Sequence, residues 1–516
     1  MSLSSEKLLS SPFATMSDLV RAHAAERPGH IAVVEGDRQV SYAELDVLVD
    51  RAASSMQRDG VGQGGAAAIC APSSIEYVVV FLAALRVGAA ACPLSPSSTP
   101  QALAAMIRDC AAGLLFCDDA VAAALDGLED APKPKRVAIE GTHAVSFSEW
   151  LAPEGSKPTP VDIDPASPFN IIYSSGTTGT PKGIVQPHAM RWGHVRRSES
   201  QGYGPECVTV ASTPLYSNTT LVSVIPTLVR GGTLILMRKF DARKFLELAQ
   251  EHHATHAMLV PVQYRRIMDL LDFDSFDLSS FHMKTCTSAP FPADLKADVL
   301  KRWPGGLVEF YGMTEGGGTC VLKAHENPDK LHTVGQPAEG HDIRVIDENG
   351  KELPAGELGE VVGRSMAMMS GYHNLPEKTA EAEWYSPDGL RFIRTGDVGR
   401  FDQDGFMILG DRKKDMIISG GFNIYPADLE AVLSRHEAVA ECAVVAAPSR
   451  DWGETPAAFV VLKPGTTADP DALRAWANDQ LGRMQRIAIL KIVDTLPRSP
   501  IGKVLKRELR DTLPPA

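Results

Sequence analysis

The sequence predicts an α/β protein. It reads as a large N-terminal domain of two layered α/β subdomains plus a small β-subdomain, followed by a small α+β C-terminal domain. Three observations carry this. Short apolar runs alternate with helical patterns between residues 66 and 271, the signature of parallel sheet with crossover helices. From about residue 334 the pattern changes to short strands separated by glycine or acidic turns. Beyond the charge run Gly410-Asp-Arg-Lys-Lys-Asp415, a helix, two strands and another helix follow, enough for a domain of about 100 residues.

Composition bounds the function. At 516 residues the chain exceeds what one hydrophobic core organises. Apolar content of 44% and charged content of 22% are those of a globular soluble protein. A net charge of −13 argues against nucleic acid, which needs a basic face. The eight cysteines, at 70, 92, 110, 117, 207, 286, 320 and 442, form no C-x-x-C pair, and most lie in apolar runs. They read as buried thiols in a reducing cytoplasm. His252, His253 and His256 cluster without an H-E-x-x-H frame and read as structural. No run reaches the roughly 18 apolar residues of a membrane span, and the N-terminus has no signal pattern.

The elements follow in order. Ser17 reads as the cap of a first helix. Ile31-Ala-Val-Val, Gly36-Asp37 and Val40-Ser-Tyr42 suggest two strands around a tight turn, with a helix starting at Tyr42. Strands are expected at 66–70, 89–93 and 113–117, and helices at 74–87 and 100–110. The alternation continues with strands at 207–212, 233–236 and 256–260 and helices at 222–230, 241–251 and 261–271. Short strands follow near 335, 343, 356 and 406. In the last unit, helices are expected at 426–435 and 469–481, and strands at 439–446 and 457–462.

The chain is organised around Tyr173-Ser-Ser-Gly-Thr-Thr-Gly-Thr-Pro-Lys-Gly183. An apolar run leads in and Ile184-Val185 follows, so this is a loop between two short strands. It exceeds the two to five residues of an ordinary hairpin turn. Glycine lets the backbone approach a ligand, consecutive amides can face phosphate oxygens, and hydroxyls and Lys182 add donors and charge. The P-loop pattern does not fit, because Pro181 stands where its second glycine belongs and Gly183 follows the lysine.

Four further stretches are informative. Phe310-Tyr-Gly-Met-Thr-Glu315 places an aromatic beside glycine and a hard oxygen donor suited to Mg²⁺; alone it would read as a strand end with an exposed glutamate. Thr395-Gly-Asp397 alone reads as a turn, although an aspartate is a natural acceptor for a ribose diol. Arg412-Lys-Lys-Asp415 precedes Ser419-Gly-Gly-Phe-Asn-Ile-Tyr-Pro426. Leu496-Pro-Arg-Ser-Pro-Ile-Gly-Lys503 is a rigid loop ahead of a basic helix.

Together, in this order, these stretches closely resemble the signatures of the adenylate-forming superfamily: acyl-CoA synthetases, nonribosomal peptide adenylation domains and firefly-type luciferases. The resemblance covers residues from about 15 to 510 and favours the acyl-CoA ligase branch. It implies a large AMP-binding domain at 1–411, a hinge at 412–415 centred on Lys414, and a mobile lid domain at 416–516. It implies that Ser174, Ser175, Gly176, Thr177, Thr178, Gly179 and Lys182 hold ATP phosphates. Ser288, Ala289 and Pro290, with Tyr311, Gly312, Met313 and Thr314, would line the adenine and α-phosphate. Asp397 and Arg412 would hold the ribose, and Glu315 the Mg²⁺. Ser419, Gly420 and Gly421 would let the CoA arm pass. Lys503, Thr314 and Glu315 would be the catalytic residues, with Lys503 neutralising charge on the carboxylate and α-phosphate. A homodimer is a family-level expectation.

The acid is less legible. Pro214-Leu-Tyr-Ser-Asn-Thr-Thr220 matches a segment in which the family usually carries His where Ser217 stands. No acidic residue lies between 214 and 223, which argues against an amino acid. Tyr216, Ser217, Asn218, Thr219, Met258, Val260, Thr287, Gly312 and Thr319 are the candidate pocket residues. Their moderate polarity suits an aromatic acid or a medium- to long-chain fatty acid. Arg191 and His194 could pair with a second carboxylate, although such residues more often have structural roles. The reading is therefore an ATP-dependent carboxylic acid:CoA ligase with Mg²⁺, acting through an acyl-adenylate. The alternatives are transfer to a separate acyl carrier protein, or a catalytically silent nucleotide-binding protein.

Overall fold

The computed structural model describes residues 4–174, 181–412, 415–419, 422–449, 452–481, 485–499 and 502–514. It divides into two compact units. The first comprises Met1–His332, Pro337–Asp342 and Gly363–Ile393; the second comprises Thr333–Gln336, Ile343–Val362 and Arg394–Ala516.

The first unit is built on two sheets. One runs in the order Gly371–Tyr372, Lys182–Pro187, Pro168–Ser174, Ala90–Pro93, Ala66–Cys70, Leu114–Cys117, Lys135–Ala138, Val145–Ser146. Pairing is parallel from Pro168–Ser174 outward through the alternating βα segment. Ala66–Cys70 is buried on both faces because each face has its own helices. Ala67 and Ile69 pack with the helices Tyr42–Arg58 and Ile75–Arg86, while Ala66, Ala68 and Cys70 pack with Pro100–Asp109.

The other sheet includes, in order, Cys320–Lys323, Gly306–Tyr311, Met283–Cys286, His256–Leu259, Val208–Ala211, Thr233–Leu236, Ile31–Glu35 and Arg38–Ser41. From Gly306–Tyr311 to Ile31–Glu35 the pairing is parallel, and the strands flanking this run, Cys320–Lys323 and Arg38–Ser41, pair antiparallel with it. The two halves are thus not consecutive in sequence. Ile31–Glu35 comes from the N-terminus and docks beside Thr233–Leu236.

The expected elements form, with adjustments at their ends. The first helix is Met16–Glu26 and its cap is Thr15, whose hydroxyl accepts from Asp18 N at 3.0 Å. Ser17 is buried instead and accepts from Arg86 Nε at 2.7 Å. The helix expected at 222 starts at Asn218, because Ser217 caps it. Gly36 takes a φ of +57° in the tight turn between Ile31–Glu35 and Arg38–Ser41.

In the second unit, Asp397–Phe401 pairs antiparallel with Met407–Arg412. A further sheet runs Phe422–Ile424, Ile417–Ser419, Gly453–Leu462, Val439–Ser449, with Ile489–Ile492 parallel to Gly453–Leu462. One of its faces packs Val444 and Val460 with Leu429, Leu433 and Leu473. The other packs Val445 and Phe459 with Leu496 and Leu509. Among the described residues no helix is long and apolar enough to cross a membrane.

Candidate active site

In the first unit the loop signature is framed by strands. Pro168–Ser174 and Lys182–Pro187 pair antiparallel, with Ser174 opposite Lys182. Gly183 sits where a Cβ would come within 2.9 Å of the Ile171 side chain and 3.2 Å of His373, so glycine lets the strands close behind the lysine. On the other side of Lys182–Pro187, the short strand Gly371–Tyr372 pairs with Ile184 and Val185. That pairing sets the Tyr372 ring 5.0 Å from Lys182 Nζ. The Tyr372 hydroxyl donates to Glu315 Oε1 at 2.8 Å. Burial first, and then the glutamate, raises the Tyr372 pKa, so the phenol stays a donor.

Glu315 is held from its backbone as well, since Met369 N donates to its carbonyl at 2.8 Å. Gly316 and Gly317 follow with φ of +77° and +88°, and a Cβ on Gly316 would lie 2.0 Å from Ala367 O. Thr314 is fixed by Gln186 Nε2, which donates to its carbonyl at 2.6 Å. Tyr311 ends the strand Gly306–Tyr311, and Met313 packs on a cluster of Ile184, Met369 and Ile393. Gly312 is exposed, next to Thr319.

The segment 287–290 lies beyond the strand Met283–Cys286. Ser288 adopts a φ of +81°, uncommon for a residue with a side chain, and its hydroxyl contacts that of Thr219. Thr287 Oγ1 donates to Phe310 O at 2.8 Å, tying this segment to the strand that carries Tyr311. Ala289 is half-buried and Pro290 exposed.

Of the acid-pocket candidates, Ser217 is already engaged: its hydroxyl accepts from Thr219 N at 3.3 Å as a helix cap. Tyr216 is half-buried; burial raises its pKa against the lowering effect of the Ser95 and Ser97 hydroxyls. Val260 and Met258 are buried. Asn218 Oδ1 accepts from Arg191 Nη2 at 2.9 Å. Arg191 is buried and His194 half-buried, so neither is an exposed surface group. His256, by contrast, is satisfied by Gln201 O at 3.0 Å and Thr255 Oγ1 at 2.8 Å, as a structural histidine should be.

In the second unit, Asp397 faces Arg412 across the antiparallel pair, the two positions expected to share a ribose. Gly396, at φ +68°, and a bulge after Asp397 break the regular ladder at this point. Ser419 ends Ile417–Ser419 and is buried. Lys503 is exposed on a tight loop. Its N donates to Ser499 Oγ at 3.1 Å and its carbonyl accepts from Ser499 N at 2.8 Å. Arg498 braces the loop, donating to Gly502 O at 2.7 Å and to Glu441 Oε2 at 2.6 Å.

Ser175, Gly176, Thr177, Thr178, Gly179, Lys414, Gly420 and Gly421, and the side chains of Ser174 and Arg412, lie outside the described residues. Among the described residues no group of three His, Cys, Asp or Glu is arranged to hold a metal. A single carboxylate completed by substrate phosphates is the manner in which Mg²⁺ is commonly held, and Glu315 fits that role. Sequence reasoning missed Tyr372 and Gln186. Gly371-Tyr372-His373 carries no recognisable spacing, and Gln186 simply follows the apolar pair Ile184-Val185.

The model of the family "AMP-binding enzyme" matches residues 20–373, and that of the "AMP-binding enzyme C-terminal domain" matches residues 428–503. The fatty acid–[acyl-carrier-protein] ligase ScoC of Streptomyces coeruleorubidus is 31% identical over 507 residues, 96% of each chain. The 4-coumarate–CoA ligase 5 of Oryza sativa subsp. japonica is 31% identical, covering 96% of this chain and 94% of its own. The amide bond synthetase McbA of Marinactinospora thermotolerans superposes with a TM-score of 0.85 at 29% identity, covering 96% of this chain and 99% of that one.

Proposed function

The chain belongs to the adenylate-forming AMP-binding enzymes, in the acyl-CoA ligase branch, and on that premise we propose that it is an ATP-dependent carboxylic acid:CoA ligase. One observation supports this most: a cation, Lys182, and a carboxylate, Glu315, share Tyr372 at the mouth of the strand pair that frames the phosphate-loop signature. A triphosphate on that loop brings its negative oxygens to Lys182. Glu315 offers the oxygen for Mg²⁺, which when bound neutralises phosphate charge.

In the first half-reaction a carboxylate oxygen of the acid attacks the α-phosphorus of ATP. The bond to the bridging oxygen breaks and pyrophosphate leaves with its electron pair. Lys503 stabilises the charge that builds on the carboxylate and α-phosphate, and Thr314 donates to the α-phosphate. Asp397 accepts from the ribose hydroxyls. In the second half-reaction a thiolate attacks the acyl carbon, AMP departs, and a thioester forms. Residues 412–415 act as the hinge between 1–411 and 416–516, and residues 419–421 border the thiol channel. A carrier-protein thiol is the second reading, supported by the similarity to an acyl-carrier-protein ligase.

The test is a panel of benzoates, hydroxycinnamates, fatty acids and short diacids with ATP and Mg²⁺, scoring pyrophosphate and AMP with and without CoA. CoA-dependent AMP release with one class is expected. Robust pyrophosphate release with no acyl transfer to CoA would turn the assignment to a carrier protein. No release with any acid would refute an adenylating enzyme.

A further inference from the structure

We infer that the acid pocket ends on a cationic site built on buried Arg191 with half-buried His194, Arg197 and His341, which receives a second carboxylate, so that the substrate is a dicarboxylic acid. The inference deepens the ligase reading and rests on it. Arg191 sits on the helix His188–Arg197 and is fully buried. Its hydrogen bonds go to amide oxygens: Asn170 Oδ1 from Nε at 3.1 Å and from Nη2 at 3.0 Å, Asn218 Oδ1 at 2.9 Å, and Gln186 Oε1; its guanidinium lies 5.7 Å from the centroid of the Phe169 ring. Nη1 is buried with no hydrogen-bond partner. One helical turn on, His194 is half-buried, and its Nδ1 is buried and equally unpartnered.

Arg197, another turn along, meets the imidazole of His341 at Nε2. His341 Nδ1 accepts from Thr319 N at 2.9 Å, and a backbone amide can only donate. In the neutral imidazole Nε2 then carries the proton. Arg197, which has no acceptor, therefore meets His341 donor to donor. Among the described residues no carboxylate pairs with Arg191, His194 or Arg197. Burying a guanidinium without a counter-charge is costly, and proteins do so where an anion completes the site. The cluster touches the acid pocket at two ends. Arg191 donates to Asn218, in the first turn of the helix after Ser217, and His341 accepts from Thr319. Gln186 joins Arg191 to Thr314, so the same network reaches the segment that contacts the α-phosphate. A dicarboxylate with one end at the α-phosphate and the other at Arg191 would satisfy the open donors.

The experiment measures pyrophosphate release by the full-length enzyme with ATP and Mg²⁺ for straight-chain mono- and dicarboxylic acids of equal carbon number, over a range of lengths. The wild type should favour a dicarboxylate over its matched monocarboxylate by about 10- to 100-fold in kcat/KM, the scale of a charge-assisted hydrogen bond lost from a buried site. Arg191→Met should remove that preference, chiefly through KM for the diacid. Arg197→Gln should reduce it, and serves as the second variant if Arg191→Met does not fold. A wild type that turns over monocarboxylates better at every length, or variants that keep the wild-type ratio, would overturn the inference while leaving adenylation intact. Absence of pyrophosphate release with every acid, aromatic ones included, would overturn both readings.

Discussion

Tyr372 donates a hydrogen bond to Glu315 at 2.8 Å while its ring faces Lys182, so one side chain touches both charged ends of the proposed phosphate site. The residues come from separate segments, brought together by pairing of Gly371–Tyr372 with Lys182–Pro187 and by the hydrogen bond from Met369 to the Glu315 carbonyl. Removing the hydroxyl with Tyr372→Phe keeps the ring beneath the lysine but frees the carboxylate. A hydrogen bond to a charged group contributes about 1.5–3 kcal/mol. The Mg²⁺ concentration for half-maximal pyrophosphate release should rise about tenfold. Thioester formation from a supplied acyl-adenylate should stay near the wild-type rate. An unchanged Mg²⁺ requirement would show that Tyr372 does not position Glu315.

Lys503 is exposed on a loop braced by Ser499 and Arg498. Lys503→Ala should leave the fold intact and reduce acid-dependent pyrophosphate release by at least about 100-fold, the scale on which loss of a transition-state charge partner acts. Conversion of preformed acyl-adenylate to thioester should persist. Equal losses in both half-reactions would remove Lys503 from its assigned role.

Glu309, on the strand that carries Tyr311, forms a buried ion pair with Lys296 of the helix Ala293–Arg302. Burial raises the Glu309 pKa to about 7 against the lowering effect of Lys296. Glu309→Gln strands the ammonium and should cost about 3–5 kcal/mol in urea unfolding. Replacing both partners by leucine should recover most of that loss. A single variant as stable as wild type would contradict the pairing.

His188 is buried among Phe13 and Phe169, and its pKa is lowered by burial to about 4. Between pH 6.5 and 4 the unfolded chain takes up a proton that the folded chain refuses, so stability falls as pH falls through this window. The loss reaches at most about 3 kcal/mol from this residue at the acid end. His188→Leu should move the acid-unfolding midpoint to lower pH. A midpoint that stays in place would mean other groups govern acid unfolding.

Much of the site's scaffold was legible because it depends on local chemistry. Ser74 caps its helix as a serine ahead of an apolar run does, and Asp241 and Asp469 do the same. Glycine and threonine between two apolar runs marked the loop that Pro168–Ser174 and Lys182–Pro187 frame. Local rules failed where a long-range contact competed. Ser17 was an equally good cap by type, but Arg86 claims its hydroxyl from sixty-nine residues away, and Thr15 caps instead. Ser217, read as a pocket residue, also caps the helix Asn218–Val229 through a purely local bond from Thr219 N.

The sequence by itself determined the alternating α/β order, the motifs at 173–183, 310–315, 395–397 and 496–503, and the family they indicate. Each rests on neighbouring residues, where periodicity, capping and glycine placement act directly. Tertiary structure decided which distant residues meet. It put the N-terminal strand Ile31–Glu35 beside Thr233–Leu236 and seated Tyr372 between Lys182 and Glu315. It also buried Arg191, with half-buried His194 and Arg197 along the same helix, without pairing any of them to a carboxylate among the described residues. Strand order and the burial of a charge follow from the packing of whole layers, and no local window of sequence contains that information.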